Sequence, residues 1–379
     1  MSRPPKFSWW EKEGLIRPAD FAVVGAGITG LSAAYFLKLQ AKQARVLVLE
    51  KGSRPEGATV RSAGFACFGS AGELLADVKT MGEAEAYGLA GQRYLGLTLL
   101  REIHGDSALE YEPCGGFEVF FAEEKEQAEE IRQKLEEVNQ KLNEYGNFSG
   151  AVFEEPGRHE TETLGFANLH MVIKNKFEGG LHPQKLWNSL LAKCLELGVE
   201  YRSGVEVKQI ESGRLMGIDY EMPCRKILVA NNAFAHAWLP DEVQAARAQV
   251  WVSELLKKPF PEGTFHHCEG YNYFRGYAGR LILGGGRHIA PEAETTFSTE
   301  NSESIEKYLK EELLPRLFRN NPPKMVESWA GTMGIGLSKK PRIAEWKPGV
   351  WTAIRMGGMG IALGTLAGKM GAELMLEDN

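Results

Sequence analysis

Gly25, Gly27 and Gly30 stand in the spacing Gly-x-Gly-x-x-Gly, and a carboxylate, Glu50, follows twenty residues after the last of them. Together these types can hold the phosphates and ribose of a dinucleotide. Gly25 permits a tight turn, Gly27 lets the backbone approach a pyrophosphate, and Gly30 lets a helix and a strand pack closely. Ala26, Ile28 and Thr29 fill the turn, and the helix that follows offers free N–H groups and a partial positive charge to the phosphates. Glu50 can accept hydrogen bonds from ribose hydroxyls and would repel a 2′-phosphate. The acid therefore disfavours NADP, while NAD and FAD both remain. Glycine supplies 43 of 379 residues, so the triplet counts only in its context of strand, helix and acid.

A second glycine turn, Gly357-Gly358-Met359-Gly360, lies between an apolar run at 350–354 and a small-residue helix at 361–376. Such a turn can let a flat ring rest on the backbone, with the helix start stabilising negative charge on it. A turn that only packs is the alternative reading.

The elements that must position these groups follow from periodicity. Runs at 20–24 and 46–49 read as strands around a helix at 29–40, where Leu31, Ala34 and Leu37 recur at helical spacing. A loop at 57–72 leads into helical sequence at 73–104 and a strand at 116–121. Ile131, Leu135, Val138 and Leu142 mark an amphipathic helix over 123–145. A helix is predicted at 183–197, strands at 205–207 and 226–230, a strand-rich stretch over 249–287, and an amphipathic helix at 299–318. There is no internal repeat. The pattern predicts an α/β chain (α+β overall): a Rossmann-like dinucleotide domain from 1–85, 165–245 and 325–379, with an inserted, mostly antiparallel sheet-plus-helices substrate domain from 86–164 and 246–324.

Composition narrows the function class. A formal net charge of −6 without a Lys/Arg block argues against nucleic acid. Five scattered cysteines without a Cys-x-x-Cys suit reduced thiols and a cytoplasmic location. No apolar stretch is long enough to span a membrane, and the N-terminus lacks a signal-peptide core. Phe7, Trp9 and Trp10 are expected to dock on the protein's own body. His266-His267-Cys268-Glu269 has the residue types of a metal site, but neighbours on a strand face opposite ways and no second ligand pair matches, so no metal is predicted.

Five segments together resemble the FAD-dependent D-amino-acid, glycine and sarcosine oxidase superfamily: 20–30, Glu50-Lys51-Gly52, Gly57-Ala58-Thr59-Val60-Arg61-Ser62-Ala63-Gly64, Trp329-Ala330-Gly331, and Arg355-Met356-Gly357-Gly358-Met359-Gly360. The resemblance covers the whole chain in order, and its tail is most similar to glycine-oxidase-like and γ-glutamylputrescine-oxidoreductase-like members. NAD enzymes with the same glycine triplet lack the 57–64 loop, so the resemblance selects FAD. It implies that Thr59, Arg61, Ser62, Ala63 and Gly64 lie along the pyrophosphate and flavin edge, with Lys51 beside Glu50 and Val207 at the adenine. Ala230-Asn231-Asn232 matches the family's Ala-x-Gly strand end, with Asn where glycine is usual. The family's covalent attachment points, a His where Arg61 stands or a Cys within 329–333, are missing, which implies non-covalent FAD. Met333 and Gly358 stand where glycine-oxidase-like members use arginines for a substrate carboxylate, which weakens an amino-acid reading. Ile282 stands where sarcosine-oxidase-like members carry an oxygen-activating lysine.

The resemblance implies oxidation of the C–N bond of a small amine or amino acid to an imine by hydride transfer to the flavin, with oxygen or another carrier as electron acceptor. A flavin-dependent 2-hydroxy-acid dehydrogenase and a non-catalytic FAD-binding protein are the alternatives. The protein's part would be orientation by a cationic or aromatic clamp. Arg355 and Arg275 lead the candidates, followed by Tyr273, which shares a strand face with Arg275, and by Arg287 and His288.

Overall fold

A computed structural model describes residues 8–377. The chain divides into two compact units, one of residues 1–60, 184–244 and 333–379, the other of 61–183 and 245–332. Residues 61–85, 165–183, 245 and 325–332, expected in the dinucleotide domain, fall in the second unit.

In the first unit Ala19–Val24 is the centre of a sheet, because β-branched and small apolar residues suit a strand covered on both faces. Val46–Leu49 pairs parallel on one side and Glu221–Val229 parallel on the other. Glu200–Arg202 and Val350–Ile354 extend it in parallel, and Arg342–Lys347 closes one edge antiparallel. The expected strand at 205–207 is not one. Val205 N–H reaches back to the Glu50 carbonyl, Val207 drops into the core beside Ile210 and Leu215, and pairing resumes at Gln209–Glu211. The helices Ile28–Gln40 and Gly360–Glu377 pack at backbone range: a Cβ on Gly368 would lie 2.5 Å from the Thr29 carbonyl oxygen.

The second unit is built on an eight-stranded sheet ordered Met325–Ile335, Gln244–Ser253, Arg280–Gly285, Asn272–Tyr277, Thr264–His267, Gly116–Phe121, Leu169–Asn175, Phe153–Glu154. Within it Thr264–His267 and Gly116–Phe121 pair in parallel. One face is apolar: Phe117, Trp251, Phe265, Phe274 and Leu283 pack with Ile305, Leu309 and Leu313. The helical stretch expected at 73–104 is two helices, Ala71–Met81 and Glu83–His104, broken where Gly82 takes φ +83°. The helix expected over 299–318 begins at Glu303, and Pro315 lies in its last segment, Leu314–Leu317.

Trp9 and Trp10 do not dock. They meet edge to face at 4.8 Å and remain 61% and 77% exposed, while Phe7 lies outside the described residues. No described helix is long and apolar enough to cross a membrane.

Candidate active site

In the first unit the glycine triplet closes the expected turn. Gly25 adopts φ +104°, and a Cβ on it would stand 2.8 Å from Asn231 Cα. A Cβ on Gly30 would stand 1.9 Å from the Gly25 carbonyl oxygen, so helix and turn touch only because both lack side chains. Gly27 differs: its Cβ would meet only Thr59 Oγ1, at 3.2 Å. The helix has no cap from its own Gly27; Ile28 N–H donates instead to Thr59 Oγ1 at 3.0 Å. Glu50 ends its strand with Oε2 accepting from Ala26 N–H (2.9 Å) and Oε1 from Gly52 N–H (3.1 Å), which fixes the carboxylate beside the turn. Lys51 is exposed and pairs with Glu206. Val207 belongs to the core, and the Oδ1 of Asn231 is buried without a hydrogen-bond partner among the described residues.

The tail turn, in the same unit, is open. A Cβ on Gly357 would meet nothing within 4 Å, one on Gly358 only Met333 Sδ at 3.8 Å, and one on Gly360 only Met356 Cβ at 3.8 Å. Small residues that leave space unfilled, before a helix start, are what a flat ligand ring requires. Met359 N–H bonds the Met356 carbonyl and so shapes this turn. Arg355, at φ +69°, donates Nε to the Lys340 carbonyl (3.0 Å) and Nη1 to the Glu242 carbonyl (3.3 Å). Burial pulls this guanidinium below its usual range, Glu242 opposes the shift and Arg342 adds to it. The side chain is engaged as a strut within its own unit.

In the second unit Arg61 is held from two sides. Its Nη1 donates to the Ala330 carbonyl at 2.8 Å, and Trp329 Nε1 donates to the Arg61 carbonyl at 2.8 Å. The Trp-x-Gly segment therefore positions the Arg61 loop, and Gly331 leaves room for it: a Cβ there would be 3.1 Å from Arg61 Cβ. Ser62 and Ala63 continue this loop, half-buried, and Gly64 takes φ +79°.

The sequence put Tyr273 and Arg275 on one strand face but did not reveal which side chains join them on this polar face of the second sheet. Register puts Tyr273 opposite His266 and Gly284, Arg275 opposite Thr264 and Ile282, and Glu118 beside His266. Arg275 is 3% exposed. Its Nη1 donates to the Gly64 carbonyl at 2.9 Å, and its Nε has no partner among the described residues. Gly180 makes space for it, since a Cβ there would stand 1.9 Å from Nη1. Burial lowers the guanidinium's pKa, opposed by Glu112, Cys114 and Tyr277. Arg275 also lines a cavity of ≈ 210 Å³ with Cys114, Phe260, Thr264 and Tyr277. Phe65 meets His266 and Tyr273 edge-on at 5.4 and 5.7 Å. Tyr273 donates to the Gln249 carbonyl at 3.3 Å, and burial drives its pKa strongly upward.

On this face lies a buried network. Glu178 accepts from Phe68 and Gly69 N–H and faces His266 Nε2 at 3.2 Å; Glu118 accepts from Ser70 Oγ and Gly72 N–H; Glu73 pairs with Arg93. Burial pushes the Glu118 carboxyl up to about 7, against the hydrogen bonds from Gly72 and Ser70. His267, on the opposite face of its strand, reaches Glu124 instead, so the adjacent histidines do not converge. Arg287 follows the strand in a short turn after Gly286, its Nε buried without a partner among the described residues; His288 sits between Tyr271 and Tyr308.

These features meet a family. Residues 20–374 match the family described as FAD dependent oxidoreductase. The chain is 23% identical to a probable oxidoreductase, OrdL, of Rhizobium meliloti (strain 1021), over 98% of this chain and 89% of that protein. In fold it is similar to the crystal structure of iminodiacetate oxidase from Chelativorans sp. BNC1, with a TM-score of 0.77, 19% identity and coverage of 95% and 96% of the two chains. It is similar as well to glycine oxidase from Geobacillus kaustophilus, at TM-score 0.74, 18% identity and coverage of 96% and 95%. The mixed α/β fold is that of these oxidases, and the open glycines of the tail turn, the glycine turn at 25–30 and the fixed Glu50 fit FAD. This chain belongs to the FAD-dependent oxidoreductase family.

Proposed function

We propose that the chain oxidises the C–N bond of a small amine or amino acid held against the polar face of the second unit's sheet. The reading is carried by Arg275: a buried guanidinium with no carboxylate at ion-pair distance among the described residues, bonded to Gly64 at the end of the loop assigned to the flavin edge. When bound, FAD would supply the two-electron acceptor for hydride from the carbon next to nitrogen, and water would hydrolyse the resulting imine. The non-covalent assignment rests on the absence of His at Arg61 and of Cys within 329–333.

Gly25–Gly30, Glu50, Lys51 and Thr59 would bind the adenosine and pyrophosphate, with Val207 at the adenine and Asn231 beside Gly25. Arg61–Gly64 and Gly357–Gly360 would hold the ring. Arg275 and Tyr273 would orient the substrate, Arg275 with its unpartnered Nε and Tyr273 with a hydroxyl that burial keeps protonated. Arg287 would add charge from the neighbouring strand end. The clamp role expected of Arg355 passes to Arg275, because the Arg355 guanidinium already bonds two carbonyls. The names of the similar oxidases point to amino acids as substrates, and Ile282 in place of a lysine favours an acceptor other than oxygen.

The test is anaerobic bleaching of the bound flavin by a panel of primary and secondary amines, amino acids and 2-hydroxy acids. Bleaching by an amine or amino acid supports the proposal. Bleaching by hydroxy acids alone, or by nothing in the panel, overturns it.

A further inference from the structure

Asn232 stands where glycine is usual in the resembling family, and the structure gives the substitution a purpose. The residue keeps a left-handed backbone, φ +50°, which Asn tolerates because its short side chain bonds locally. Its Oδ1 accepts from two consecutive backbone groups of the tail turn, Arg355 N–H at 2.9 Å and Met356 N–H at 3.2 Å. The third, Gly357 N–H, donates to the Gly334 carbonyl at 2.9 Å. Gly334 is itself part of the fit: a Cβ there would lie 2.5 Å from Asn232 Oδ1.

Gly357 reaches φ +57° without strain, whereas Arg355 takes φ +69°, a left-handed backbone that in a non-glycine residue persists only when its surroundings over-determine it. The Asn232 carboxamide does this for the first two amides. Beyond them Leu363 N–H bonds the Met359 carbonyl, and the amides that open the Gly360–Glu377 helix ahead of it have no acceptor within the helix.

We propose that Asn232 is a positioning residue for the flavin ring: its side chain latches the tail turn in the shape that presents the turn and the helix start to the ring. This rests on the reading that Gly357–Gly360 carries the ring. Three variants separate the components. Asn232→Gly keeps the left-handed backbone and removes the latch. Asn232→Asp keeps the acceptor and adds charge. Gly334→Ala crowds Oδ1 without touching residue 232.

The readouts are FAD dissociation on dilution of the holoenzyme, followed by flavin fluorescence, and the flavin midpoint potential. Asn232→Gly and Gly334→Ala should each weaken FAD binding about tenfold, as expected for loss of one or two hydrogen bonds. Both should also lower the potential, and Asn232→Asp should bind FAD within about threefold of the unaltered chain, a change smaller than one hydrogen bond. Gly358→Val, which alters the turn itself, is the reference. If Gly358→Val weakens FAD while Asn232→Gly and Gly334→Ala leave affinity and potential unchanged, the latch is overturned and the assignment of the turn stands. A drop in melting temperature alone in those two variants overturns it equally. If Gly358→Val has no effect on FAD, the assignment of the turn falls and the latch with it.

Discussion

The glycine turn of the first unit and the polar sheet face of the second bury polar groups by opposite means. At the turn, amides are satisfied by the Leu49 carbonyl, the Glu50 carboxylate and the Thr59 hydroxyl, and the geometry depends on missing side chains at Gly25 and Gly30. On the sheet face Glu118, Glu178 and His266 do the satisfying, 3%, 1% and 5% exposed. Where backbone groups build a site, a single methyl is the threat. Where side chains build it, the threats are an unpaired partner and a change of charge.

The sharpest break of this contrast is Gly30→Ala. A Cβ 1.9 Å from the Gly25 carbonyl oxygen has no flexible neighbour to displace, since the obstacle is backbone. The expected loss is about 3 kcal/mol or more of unfolding free energy, at the upper end of overpacking effects. Urea unfolding measures it, and a variant within about 0.5 kcal/mol of the unaltered chain, the range of a neutral surface change, would show that the turn relaxes.

On the other side the corresponding change is Glu178→Ala. It strips the acceptor from Phe68 and Gly69 N–H and from the His266 ring. The expected loss is about 2–3 kcal/mol, the penalty for buried donors left unpaired. Glu178→Gln, which keeps an acceptor of the same length, should recover most of it. Equal losses in the two variants would mean that charge rather than hydrogen bonding holds the loop.

The same contrast explains what was legible in the sequence. Gly25, Gly27, Gly30 and Glu50 act through local spacing, so a strand, a turn and a helix start could be read from one short window. The 57–64 loop and the 357–360 turn were legible through resemblance, with glycine and hydroxyl residues marking close backbone. Arg355 was legible as a cation beside that turn, but its partners come from Lys340 and from Glu242, 113 residues away. Glu178 meets Phe68 and His266 across separations of 110 and 88 residues, and Glu118 meets Ser70 across 48. Alternation did place His266 and His267 on opposite faces, yet periodicity does not say which strand will lie alongside. Asn232 carried a signal, its place in the Ala-x-Gly pattern, whose meaning depended on where the tail returns.

The smallest expected effect sharpens the comparison through pH. The Glu118 carboxyl is raised from 4.5 to about 7, chiefly by burial. Between those values the folded chain holds a proton that the unfolded chain has released, so stability is fully present below about 4.5 and is lost as pH rises through about 7. His266 adds a loss of the same sign. Burial alone would lower its pKa, but the hydrogen bond and charge of Glu178, with Glu73 and Glu118, raise it above 6.5, so its contribution is present below 6.5 and fades as pH climbs past the raised value. Together the unaltered chain should lose roughly 2 kcal/mol of unfolding free energy between pH 6 and pH 8. Glu118→Gln, which stands in for the protonated acid, should lose only the part due to His266, most of it above pH 6.5. Urea unfolding at pH 5, 6.5 and 8 distinguishes the slopes, and identical slopes would remove Glu118 from the account. Gly30→Ala should shift the whole curve downward without changing its slope, because the contact it breaks carries no proton.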